Sequence, residues 1–195
     1  MAAPRQQAPP QRRARGSLTA DTIVDTAFSI AAESSVDELS IPLVAKSLGV
    51  GVTSIYWHVR NKSELLDAMT DRALRRKGFP AFVESDDWRE SLLLHARGVR
   101  QTFLGDPVLT DLILIRGALS PLARRLGAQE TEKAIASMIG AGLDEQTAQE
   151  TYAAVSELVR GSVLLGRLAP PSQDDRAFEL LLTSLLGNAG RHTHD

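Results

Sequence analysis

An all-α fold in two unlike parts is what this chain predicts, and three observations carry that reading. No stretch shows sustained period-two alternation and no repeat recurs, so nothing marks a strand. Apolar residues instead return at helical spacing, in runs that open at Ser, Thr, Asp or Asn and close near Gly or Pro. Between Leu39 and Lys62, finally, two short helices meet about a glycine-containing turn, the pattern of a helix-turn-helix.

Residues 1–16 combine Pro, Gln and Arg with almost nothing to bury, and they read as a disordered basic arm. Arg12, Arg13 and Arg15 stand directly before the first helix, where they serve either as solvated charge or as contacts to phosphate and the minor groove. Thr19 caps helix 1, Asp21 favours its dipole, and Ile23, Val24, Ala27, Phe28 and Ala31 form its buried stripe. Ser40 caps the next helix with Pro42 in the first turn, where a missing N–H costs nothing. Gly49 falls just past its end, where a left-handed residue is wanted.

A second short helix then begins three residues later. Turning about 100° per residue directs Ile55 and Val59 inward and Thr53 and Trp57 outward. Ser54 and Tyr56 take the shoulders, and His58 lies nearer the core. An outward Trp beside Tyr on an eight-residue helix suits a face that meets sugar, phosphate and thymine methyls. The plainer reading is a helical hairpin whose aromatics pack beneath a later segment.

Asn61 caps the following helix, and Glu64 stands three residues on in a capping-box arrangement. Arg72, Arg75, Arg76 and Lys77 supply charge suited to its C-terminus, and Gly78-Phe79-Pro80 closes the first part. Beyond it, Ser85 or Asp86 caps a helix carrying Trp88, Leu92, His95, Val99 and Phe103. Asp106-Pro107 and Ser120-Pro121 each read as a cap followed by proline at the first helical position. A further helix runs from about Gln129 to Ile139. The last two helices cover about Asp144 to Leu168 and Asp174 to Gly187. The first is rich in Ala, Ser and Gly, and its mid-helix glycines suggest close approach by another helix. The second is apolar around most of its circumference, which calls for a partner beyond its own domain.

Composition narrows the function. With 195 residues, 43% of them hydrophobic, the chain can bury one good core or two small ones. No apolar run approaches the roughly 18 residues of a membrane helix, no secretory signal opens the chain and there is no cysteine, so a cytoplasmic protein without membrane contact is expected. The net charge of −2 hides an asymmetry. Residues 1–77 hold 11 Lys and Arg against 8 Asp and Glu, and residues 78–195 hold 11 against 16, a basic end for phosphate and an acidic end kept from it. No enzyme is expected, because no zinc-helix pattern, phosphate-cradling glycine loop or nucleophile elbow occurs. His192 and His194 make too weak a pair for a metal site, so neither metal nor cofactor is expected.

Leu48-Gly49-Val50, Ile55, Tyr56, His58, Val59, Asn61-Lys62 and Leu65-Leu66 together resemble the DNA-binding signature of the TetR family of transcriptional regulators. The likeness covers roughly Leu18 to Leu74. It implies a three-helix DNA-binding domain over residues 17–77, joined by helix 4 to an effector-binding and dimerisation domain over 78–195. The partners implied are double-stranded palindromic operator DNA, a small effector and a second copy of the chain. The helical projection and the resemblance place Thr53, Tyr56 and Trp57 in the major groove, Ser54 and Lys62 on phosphates, and His58 beside them.

A largely apolar effector is expected among Trp88, His95, Val99, Phe103, Met138 and Tyr152. A homodimer is expected through Tyr152, Val155, Val159, Phe178, Leu181, Leu182 and Leu185. In members that bind tetracycline with magnesium, histidines hold the drug complex. The roughly corresponding places here are Gly78 and Ile113, so that effector is not expected. A repressor released by its effector is the leading reading. An activator, a regulator without ligand, and a helical ligand-binding or interaction protein that reads no DNA sequence stay open beside it.

Overall fold

The structure, a computed structural model, describes residues 18–117, 119–167 and 171–189, with the backbone alone over 171–174. Among these, α1 spans Ala20–Glu33, α2 Ile41–Leu48, α3 Val52–Tyr56, α4 Lys62–Lys77 and α5 Trp88–Leu104. A single turn, α6 (Pro107–Thr110), passes into a π-helical turn over Asp111–Ile115, and α7 (Pro121–Gly140), α8 (Glu145–Gly166) and α9 (Pro171–Asn188) complete the chain. The basic arm and the histidine-containing tail lie outside the described residues.

The caps are where side-chain chemistry expects them. Ser40 Oγ accepts from the Leu43 N–H at 3.3 Å, Asn61 Oδ1 from Glu64 at 2.9 Å and Asp144 Oδ1 from Thr147 at 2.9 Å. Each satisfies one orphan amide of a first turn, worth about 1 kcal/mol. Two boundaries and one capping contact here differ from expectation. Asp87, not Ser85 or Asp86, caps α5, because Ser85 is tied back through its N–H to Ser91 Oγ at 2.7 Å. The helix expected from Gln129 starts at Pro121, since Gly127 sits mid-helix without breaking it. Glu64 accepts from the Arg60 N–H at 2.6 Å rather than from the cap residue itself.

Three apolar clusters organise the helices. Ile23, Val44, Ile55, Leu65 and Met69 lock α1 to α4 together, with Leu112 of the π-helical turn inserted among them. Trp88, Leu92, Met138, Val155, Phe178 and Leu182 join α5, α7, α8 and α9. Between the two, Leu74, Phe103, Leu109, Ala123 and Val163 connect α4 to the helices beyond it. At about 1.5–3 kcal/mol for each large side chain fully buried, these clusters supply the main favourable term.

Charge pairing adds orientation. Arg72 pairs with Asp21 and Asp25, and Arg76 reaches Asp25 at 2.8 Å, so the basic end of α4 is spent partly on α1. Arg100 is buried between helices, donating to Ser162 Oγ at 2.9 Å and to Asp175 at 2.7 Å over the Phe178 ring. No helix among the described residues is long and apolar enough to cross a membrane.

Candidate nucleic-acid interface and ligand cavity

Gly49 takes a φ of 67°, and the N–H of Val50 reaches back to the Ala45 carbonyl at 3.0 Å. That left-handed closure ends α2 sharply and aims α3 across it. On α3 the inner residue Ile55 has no exposure, whereas Tyr56 is 49% and Trp57 85% exposed. Among the described residues no later segment covers these aromatics. Thr53 is exposed as expected, and Ser54 is half-buried.

The helix is shorter than the eight residues expected. It stops at Tyr56, and the N–H groups of His58 and Val59 both turn back to the Ile55 carbonyl, at 2.9 and 3.0 Å. The tighter turn changes the angle per residue, so His58 swings into solvent instead of toward the core while Val59 stays buried. Lys62 opens α4, and its ammonium donates to the Asp37 carbonyl at 3.0 Å. Two of its three protons remain for another acceptor.

Beyond α4, among α5, the π-helical turn, α7 and α8, lies a cavity of about 480 Å³. His95, Val99, Phe103 and Tyr152, four of the six residues expected around an effector, line it. Trp88 and Met138 do not: both are packed into the core of α5, α7 and α8 and have no face toward the space. Other elements supply what the sequence reading missed. Leu74 comes from α4, Phe79 from the segment after it, Ile113 and Leu114 from the π-helical turn, Arg124 from α7, and Ser156 and Arg160 from α8. Helical periodicity marks the apolar side of each helix but not which apolar residues border a void.

The His95 ring stands edge-on to Phe82, with centroids 5.7 Å apart, and its Nδ1 is buried without a partner. Burial holds the imidazole below its ordinary pKa of 6.5, against the Ala81 carbonyl and Glu130, which favour the charged form, while Lys133 opposes it. Burial also works against the Glu130 carboxylate. Lys133 and the Phe82 N–H, at 2.7 and 2.5 Å, nevertheless keep that carboxyl below its usual range. The unfolded chain therefore takes up the His95 proton more readily than the folded one. Stability should be full above pH 6.5 and fall as pH drops below it, with Glu130 titrating in a lower window. Urea denaturation across this range should show the loss in the wild type and a flatter profile in His95→Gln; parallel profiles would remove His95 as its source.

The residues expected at a dimer interface need correction. Val155, Val159, Phe178 and Leu182 are buried inside the protomer, where α8 and α9 pack on α5, and Tyr152 borders the cavity. Of the expected set Leu181 is exposed and Leu185 half-buried, and Leu164, Leu165 and Leu180 are exposed beside them in the same two helices. The close approach expected at the mid-helix glycines is not made at Gly161, where an added Cβ would meet nothing within 4 Å.

Residues 23–69 match the model of the bacterial regulatory proteins of the tetR family. The class G tetracycline repressor of Vibrio anguillarum is 30% identical over 148 residues, which are 75% of this chain and 68% of that protein. The chain belongs to the TetR family. An HTH-type transcriptional repressor of Mycobacterium tuberculosis is 57% identical over 164 residues, 84% of this chain. The match spans 63% of that relative's length.

Solved TetR-family structures share the fold. A TetR variant from Acinetobacter baumannii in complex with minocycline is 29% identical, with a TM-score of 0.68 over 88% of this chain and 96% of that one. ActR of Streptomyces coelicolor in complex with actinorhodin is 27% identical, with a TM-score of 0.68 over 90% of this chain and all, 100%, of that one. The all-α class and the helix-turn-helix at the amino end of this TetR-family chain are thus as the sequence predicts.

Proposed function

We propose that this protein is a homodimeric transcriptional repressor that binds a palindromic operator and is released by a small, largely apolar molecule in the cavity. The observation that carries the reading is α3: a helix with a fully buried inner side that offers Trp57 and Tyr56 to solvent just after a left-handed turn. Solvent-exposed aromatics on a short helix cost solubility, and insertion into a major groove gives them a use. In this reading residues 17–77 bind DNA and residues 78–195 bind the effector and the second protomer. Thr53, Tyr56, Trp57 and His58 meet base edges, while Ser54 and Lys62 hold phosphates. The relatives named as repressors, and the family structures with minocycline and actinorhodin bound, support it.

The route from cavity to DNA is short. Ile113 and Leu114 border the cavity, Leu112 between α6 and Ile113 sits in the core of α1 to α4, and Arg116 pairs with Asp37 in the loop before α2. Asp37 in turn receives Lys62. Leu74 gives a second link through α4. A ligand that favours another placing of these elements shifts the spacing of two recognition helices. Coupling of roughly 1–3 kcal/mol weakens operator binding 5- to 150-fold.

Selection of duplexes from a random pool, followed by anisotropy titration over a range of salt, tests the proposal. A palindrome bound at least about 10³-fold more tightly than unrelated duplex is expected. Equal affinity for all duplexes would leave a protein with a packing motif and no operator.

A further inference from the structure

The cavity wall carries two chemistries. Phe79, Val99, Phe103, Ile113 and Leu114 contribute apolar surface, and the polar and charged side chains among the lining come mainly from α7 and α8, as Arg124, Thr131, Ser156 and Arg160, beside Val155 and Val159. No carboxylate lines the space among the described residues. Arg124 and Arg160 are both exposed while lining the cavity, which places them at its mouth, and neither has an acidic partner among the described residues. His95, the remaining titratable group bordering the apolar body of the cavity besides Tyr152, is buried and held toward its neutral form.

Two guanidinium groups without a carboxylate at the mouth of an apolar space give that mouth a positive potential. A cation entering would meet like charge. A neutral molecule would bury apolar surface but leave both guanidinium groups to water. An anion with an apolar body gains on both counts, because its charged group meets a planar fork of donors where part of the solvent has been excluded. A space of about 480 Å³ suits one drug-sized molecule.

Resting on the reading of this cavity as the effector site, we propose that it selects amphipathic anions: an apolar body against Phe79 and Phe103, and one acidic group held by Arg124 and Arg160. Such molecules carry a carboxylate, sulfonate or similar group at one end of a ring system or branched chain. Thr131 and Ser156 offer hydroxyls beside the acidic group; Thr131 already donates to the Gly127 carbonyl at 2.9 Å.

A matched pair of fluorescent probes tests charge separately from shape. Anilinonaphthalene sulfonate and N-phenylnaphthylamine share an apolar body and differ in the sulfonate. The wild-type protein should bind the sulfonate at least tenfold more tightly, and Arg124→Gln and Arg160→Gln should each weaken it about tenfold while leaving the amine unchanged. Both arginines are exposed, so these variants keep the fold, which an unchanged thermal midpoint verifies. Gly127→Phe is the control for location. An added Cβ there meets nothing within 4 Å, so the ring can occupy the cavity without displacing the helix, and both probes should be expelled. If both probes bind alike and the arginine variants change neither, yet Gly127→Phe expels both, the anion preference is wrong and the cavity reading stands. If neither probe binds the wild type, or Gly127→Phe affects neither, the cavity reading fails and the preference with it.

Discussion

Trp57→Ala should leave the fold unchanged and remove most sequence-specific DNA binding. At 85% exposure the indole makes almost no internal contact, so its loss creates no cavity and should alter stability by less than about 0.5 kcal/mol. Its contribution falls on the bound state. A good base-edge contact discriminates by about 1–3 kcal/mol, and a two-fold dimer makes it twice, giving about 2–6 kcal/mol or roughly 30-fold to 10⁴-fold in operator affinity. Trp57 carries no charge, so the slope of log affinity against log salt should not move; Lys62→Ala should instead weaken all duplexes alike and flatten it by about one unit per protomer, about two for the dimer.

Ile55, two positions earlier, sets the contrast. With no exposure, Ile55→Ala should cost about 2–5 kcal/mol of stability and reduce DNA binding only through unfolding. Thermal melts and anisotropy titrations on the two variants separate these effects. A Trp57 variant that binds its operator as the wild type does would remove α3 as the reading element.

These neighbouring residues show what the sequence made legible. Local rules were sufficient wherever a residue answers to its own chain neighbours. Ser40, Asn61 and Ser120 cap because each precedes an apolar-periodic run, and Gly49 terminates α2 because few other residues accept a φ of 67°. Ile55 faces inward and Trp57 outward for the same reason. The end of α3 escaped because a projection at constant angle cannot foresee that His58 and Val59 would share one carbonyl. The cavity escaped more fully. Trp88 and Val99 lie on one amphipathic helix, and only the helices packed on them decide that Trp88 is enclosed and Val99 borders space. Arg124 and Arg160 carry no pattern in the sequence, and only the packing of α7 and α8 makes both border the cavity.

Replacing Leu180 and Leu181 by Glu should convert the proposed dimer to a monomer and abolish full-operator binding. The two side chains are 72% and 55% exposed on α9, while Leu182 beside them is fully enclosed, so the exposed pair is surplus to the protomer's own core. On α8, Gly161 costs helix stability yet has nothing near its missing Cβ, and Leu164 and Leu165 follow it into solvent. A second copy approaching these helices would use both features, with the glycine permitting close contact and the leucines losing water. Burying a leucine contributes about 1.5–3 kcal/mol, and a two-fold interface counts each one twice. Glutamates there would reverse the sign, because unpaired carboxylates would be driven into an apolar contact. Since the substituted positions are exposed in the protomer, helicity should survive. Sedimentation at micromolar concentration should show a dimer for the wild type and a monomer for the double variant, with affinity for a half-site retained and the palindrome bound about 10³-fold or more weakly. A wild-type monomer, or a double variant that still sediments as a dimer, would place the contact elsewhere on the chain.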